Sequence, residues 1–149
     1  MILPLLLLCS CSGFSEVKKI SPPQKFTAEF SVGEFSGNIE FENLGETIVH
    51  VSLPESVSSM RFVIKADTCF LKYSGMEFEC DKSLLNGSIP DTIVKVVSDL
   101  LLNNEIIEAK EEKSDIVRKG SWYKVYQNRE SGLIKQIEAS DYNIKFTYR

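Results

Sequence analysis

The sequence predicts a mainly β (α+β) domain, a curved antiparallel unclosed β-barrel of about ten strands with one amphipathic helix in its concave side. Three observations carry this. From Lys25 onward apolar residues alternate with polar ones at period two; short turn signals, several built on glycine, separate the alternating runs; and only one segment switches to helical spacing. So many strands exceed what a flat open sheet tolerates, so the sheet is expected to curl.

The first run puts Phe26, Ala28, Phe30 and Val32 on one face, with Thr27, Glu29 and Ser31 opposite. Gly33-Glu34 is a two-residue turn with glycine first, which suits type II′. Phe35, Gly37, Ile39 and Phe41 then share the inner face of the second run, and pairing Val32 with Phe35 brings Phe30 to Gly37 and Phe26 to Phe41. Register and pattern therefore agree. A turn at Leu44-Gly45 leads to Thr47, Val49, Val51 and Leu53, with His50 and Ser52 outward. After a loop over residues 54–59, Phe62 and Ile64 lead to Cys69, Leu71 and Tyr73, and Ser74-Gly75 turns the chain into Met76, Phe78 and Cys80. With Tyr73 opposite Met76, Cys69 meets Cys80 on one face, and Lys72 meets Glu77 on the other as a cross-strand ion pair.

Ser88-Ile89-Pro90-Asp91 reads as a helix start: a capping hydroxyl, proline in the first turn and an acid three residues on. Ile93, Val96, Val97, Leu100 and Leu101 follow at helical spacing, and Asn103-Asn104 ends the helix. The charged residues 105–114 read as a mobile loop. Strands resume over residues 116–119, 121–127, 133–139 and 142–148, with Ala139 opposite Tyr142 and Ile137 opposite Ile144.

The chain has 149 residues, 43% hydrophobic and 26% charged, which describes one ordinary globular domain with a real core. A net charge of −4 excludes a phosphate-neutralising face, so no nucleic acid is expected as partner. The apolar residues 2–8, small Ser10 and then Cys11 have the shape of a bacterial lipoprotein signal. The expected organisation is therefore a signal peptide at residues 1–10, a lipidated Cys11 bearing palmitate-type acyl chains and a tether through residue 24, and the domain over residues 25–149. This organisation would place the protein outside the cytoplasmic membrane, anchored by its lipid, with an outer membrane open to it if the organism has one; the alternative is a short apolar N-terminal strand or helix of a cytosolic protein. Outside that membrane Cys69 and Cys80 are either a disulfide or two buried free thiols.

The Phe35-x-Gly37-x-Ile39-x-Phe41 run, the strand ending in Leu53-Pro54, Phe62-Val63-Ile64, the Tyr73-Ser74-Gly75 hairpin, the helix and the final strands together resemble the LolA/LolB-type lipoprotein-localisation fold over about residues 25–149. The resemblance implies an unclosed barrel whose hydrophobic interior takes up lipid or acyl chains without catalysis. The helix that usually precedes the first strand of that family is replaced here by the tether, so lipid or hydrophobic-ligand binding carries over and a specific receptor role does not.

A helix narrower than the sheet leaves part of the concavity uncovered, the usual form of a small-molecule or acyl-chain site. Phe26, Phe30, Phe41, Phe62, Phe78, Val97, Leu101, Trp122 and Tyr126 are the candidates to line it, with the helix as lid; taken singly, such a residue is more often plain core. Lys124 and Lys135 interrupt the apolar face of the last strands, either at the rim of the site or snorkelling at a sheet edge. His50, the sole histidine, alternates outward while Cys69 alternates inward, so no nucleophile–base pair forms between them, and no metal spacing or cofactor signature is present. The reading is a non-catalytic envelope lipoprotein that binds lipid, acyl chains or another hydrophobic ligand. The alternative is a structural or protein-interaction lipoprotein whose concavity is filled; an exported hydrolase is a distant third.

Overall fold

A computed structural model describes residues 20–104, 106–139 and 141–149. The expected signal, the lipidated Cys11 and the tether as far as residue 19 lie outside the described residues. The chain forms β1 (Lys25–Val32), β2 (Phe35–Glu42), β3 (Thr47–Leu53), β4 (Arg61–Ile64), β5 (Thr68–Tyr73), β6 (Met76–Asp81), helix α1 (Ile89–Leu102), β7 (Glu108–Glu112), β8 (Asp115–Lys119), β9 (Tyr123–Asn128), β10 (Ile134–Ala139) and β11 (Tyr142–Thr147).

All 11 strands belong to one antiparallel sheet in the order β6-β5-β4-β3-β2-β1-β11-β10-β9-β8-β7. The first six strands walk outward from the middle of the sheet to one edge. Helix α1 then carries the chain across the concave face to the opposite edge, and the last five strands walk back until β11 pairs with β1. That central seam, Phe30 opposite Phe146, is the one strand pairing not made by neighbours in sequence. The two edges, β6 and β7, do not meet, so the curved sheet stays unclosed.

Local chemistry explains the turns and the helix. Gly33 stands at φ +56°, and Ser74 and Gly75 both have positive φ, the backbone that tight hairpins with native twist require. Ser88 caps α1 by accepting from the Asp91 amide at 3.3 Å, and Asn103 closes it in the left-handed conformation. The stripe Ile93, Val96, Val97 and Leu100 is buried against Phe26, Ile39, Phe41 and Val49 from one half of the sheet, and against Val125, Ile137 and Ile144 from the other. Each such side chain contributes about 1.5–3 kcal/mol relative to exposure, so the helix is part of the core rather than a removable lid.

Two expectations need correction. Residues 105–114 are not a loop throughout: Glu108–Glu112 is the edge strand β7, paired with β8 alone. Its charges are what a free edge needs to discourage pairing with other chains. The facing of β9 is also the reverse of that expected. Tyr123, Val125 and Gln127 are buried inward, while Lys124 and Tyr126 lie on the convex face, where Lys124 meets the Tyr126 hydroxyl and ring and stands 3.8 Å from Glu138. A lysine is cheaper to leave in water than a glutamine whose amide finds a partner inside, and Gln127 Nε2 donates to the Gly132 carbonyl at 2.7 Å. Lys135 falls at a bulge in β10 and pairs with Asp115 at 2.5 Å, so neither lysine borders the concave site.

Candidate functional site

Along most of α1 the concave side is packed with buried side chains, and one end of it holds open space. There a groove of about 760 Å³ lies between the start of the helix and the tips of the first strands. This falls within the usual range of roughly 300–1,000 Å³ for ligand sites. Phe30 and Val32 of β1, Phe35 of β2, Val49 and Val51 of β3 and Phe62 of β4 form its floor; Val57 and Met60 form one wall, and Ile89 and Pro90 the other. Tyr142, in the turn between β10 and β11, also borders it and donates its hydroxyl to the Gly87 carbonyl at 3.0 Å, tying that turn to the helix entrance.

The sequence builds this end deliberately small on one side. Gly37 is buried opposite Phe30 at a break in the β2–β3 register, and a Cβ there would collide with the His50 carbonyl and the Phe30 ring. Without that side chain the ring lies over the backbone and becomes groove floor. The loop after β3 is held by the Tyr73 hydroxyl, which donates to the Ser56 carbonyl at 2.8 Å, and by the Val51 amide, which donates to Met60 at 3.0 Å.

Phe62 pairs with Leu71 on β5, and Leu71 with Phe78 on β6, so an apolar row runs from the groove to the free edge. Val94 of α1 and Leu85, just before the helix, cover Ile64 and Cys69, but this cover does not reach the end of the row, where Phe78 is 51% exposed.

Of the candidate lining residues, Phe30 and Phe62 border the groove. Phe26 and Phe41 stack on one another at 5.2 Å in the core of the opposite end, and Val97 is fully buried on the inner face of the helix. Leu101 and Trp122 pack half-buried at the margin of the same core, Trp122 edge-on to Tyr123 at 4.9 Å; Tyr126 faces outward. Sequence reasoning missed Val32, Val51, Val57, Met60 and Ile89. Their signal was position rather than composition: all sit beside turns or at the helix entrance, where strands outrun the helix that covers them.

The opposite end is sealed. Arg118 points inward from β8, 4% exposed, and donates to the Ile20 carbonyl at 2.6 Å. Burial pushes its guanidinium below the usual arginine range, while neighbouring Tyr123 acts in the other direction. Gly132 lies against Ser21 and Ile20, leaving no room for a side chain. The Tyr148 hydroxyl, raised in pKa by burial, donates to the Ile134 carbonyl at 2.8 Å.

Cys69 and Cys80 are register partners as expected, and both are free thiols; Cys80 Sγ donates to the Cys69 carbonyl at 3.4 Å. Burial, followed by the neighbouring Cys80, pushes the Cys69 thiol up to about 11. His50 is exposed on the convex face opposite Asn38 and Arg61, on the other side of the sheet from Cys69. Lys72 and Glu77 pair at 2.8 Å. Among the described residues no group of three or more His, Cys, Asp or Glu is placed to hold a metal ion, and no helix is long and apolar enough to cross a membrane.

No protein-family model and no curated protein matches the chain. Among solved structures it is similar to the LolA superfamily protein NE2245 from Nitrosomonas europaea, with a TM-score of 0.40 and 10% identity, over 83% of this chain and 67% of that one.

Proposed function

We propose that this protein is a non-catalytic, membrane-anchored envelope lipoprotein that binds a lipid acyl chain or a similar hydrophobic ligand in the groove at the start of α1. The observation that carries the reading is the groove itself: about 760 Å³ bordered mainly by apolar side chains, beside the core buried under α1. An apolar cavity of that size that stays open at the surface stabilises the fold less than a filled one would, and a ligand is what recovers the difference. Cys11 supplies the anchor in this reading, with residues 12–24 as the tether.

The test is titration with N-phenylnaphthylamine, whose fluorescence rises in apolar surroundings, together with native mass spectrometry of protein purified from membranes. Co-purifying acyl species and probe binding abolished by Val51→Trp are the expected results. Protein that is empty and indifferent to the probe would overturn the groove reading. Anchoring is tested separately: the full chain partitions into detergent, and Cys11→Ala moves it to the aqueous phase.

A second reading has one observation in its favour. Met76 and Phe78 lie half-exposed on the free edge strand β6, a surface suited to strand addition by a protein partner. In that case substitutions at Phe78 weaken association while Val51→Trp leaves it unchanged.

A further inference from the structure

We infer that the groove selects amphiphiles with a cationic polar end and turns away anionic ones of the same chain length. The inference rests on the groove being a ligand site and concerns what its mouth accepts. Two charged residues border it, Glu34 in the β1–β2 turn and Asp141 in the β10–β11 turn, and both are acids. Both are exposed, and neither makes an ion pair or side-chain hydrogen bond among the described residues. Among the described residues no lysine or arginine borders the groove.

The start of a helix ordinarily favours an anion, and α1 begins on the groove wall. Here much of that potential is met by the chain itself, the Asp91 carboxylate standing within the first turn. Ser88 accepts from the Asp91 amide, Pro90 has no amide hydrogen to offer, and the buried Asp91 carboxylate accepts from the Gly87 amide at 3.0 Å. Lys95, the nearest cation on the helix, is held by that same carboxylate at 2.8 Å and by Asn86 at 3.3 Å. An alkyl chain lying on Phe30, Val51 and Phe62 thus has its head group between two carboxylates with no compensating base. A carboxylate or phosphate head meets like charge there; an ammonium head meets two partners.

The experiment displaces N-phenylnaphthylamine from the full chain with decyltrimethylammonium, decanoate and decyl maltoside, each below its micelle concentration. At low salt decyltrimethylammonium should displace the probe at about tenfold lower concentration than decanoate, with the gap narrowing as salt screens the rim. Glu34→Gln combined with Asp141→Asn should abolish the gap and leave decyl maltoside unchanged. Decanoate binding as well as the ammonium, or a preference that survives in the double variant, overturns the inference while leaving the groove intact. Failure of all three amphiphiles and of the probe removes the groove as a ligand site, and the selectivity with it.

Discussion

The two ends of the curved sheet solve the same problem in opposite ways. Each must deal with a concavity wider than the helix crossing it. The sealed end packs large side chains together and ties buried polar donors to backbone carbonyls: Phe26 stacks on Phe41, the Arg118 guanidinium donates to Ile20 and Gln127 Nε2 to Gly132, while Gln127 Oε1 has no hydrogen-bond partner among the described residues. The open end has aliphatic and aromatic walls of similar character but, among the described residues, no chain segment laid across them, and about 760 Å³ remains. The difference teaches that apolar lining alone does not decide whether a site is core or cleft. What decides is whether another part of the chain arrives to cover it, and here residues 20–22 arrive at one end only.

That contrast can be broken from either side. The largest effect belongs to Phe26→Ala, which should cost about 3–5 kcal/mol in urea denaturation while probe binding at the far end persists. If binding falls as steeply as with Val51→Trp, the two ends are one cooperative unit and the division fails. Arg118→Ala removes a charge-assisted hydrogen bond and a packed stem, and should cost about 2 kcal/mol by the same measurement, again without loss of the probe.

A smaller effect should follow pH. The Cys69 thiol stands at about 11 in the folded protein against 9.0 when unperturbed. A thiol with a raised folded-state pKa contributes its stability fully below pH 9 and loses it as pH climbs through 11, because the unfolded chain ionises first. Denaturation midpoints should decline across that window more steeply than in Cys69→Ala; parallel curves would refute it. The smallest effect on stability is expected at the open end. Phe35→Ser should shift unfolding by less than about 1 kcal/mol, since the ring is half-exposed, yet weaken the probe about fivefold in titration.

Much of the fold was legible because alternation, turns and helix caps are local. Val32 opposite Phe35, Cys69 opposite Cys80, Tyr73 opposite Met76 and Ile137 opposite Ile144 all stand in the structure as the hairpin chemistry predicts. Helix α1 likewise begins after Ser88 and ends at Asn103. The failures came where a residue's role depends on something distant. Charged Glu108–Glu112 reads as a loop until a neighbouring strand exists to pair with it. Tyr123, Val125 and Gln127 face inward in place of Lys124 and Tyr126, opposite Ala139, Ile137 and Ile116, with the Gly132 carbonyl there to accept from Gln127.

The candidate site was less legible than the fold. Phe30 and Phe62 were found by face, but face cannot tell one end of a strand from the other, so Phe26 and Phe41 were indistinguishable from them. The sequence by itself determined the hairpins, the inward face of most strands and the caps of α1, because backbone sterics and period-two burial act over a few residues. Only the tertiary structure decided that β1 meets β11, that Arg118 and residues 20–22 close one end and that the other stays open. Those outcomes depend on where distant segments land, and no local pattern encodes how far a helix of 14 residues reaches across the sheet it covers.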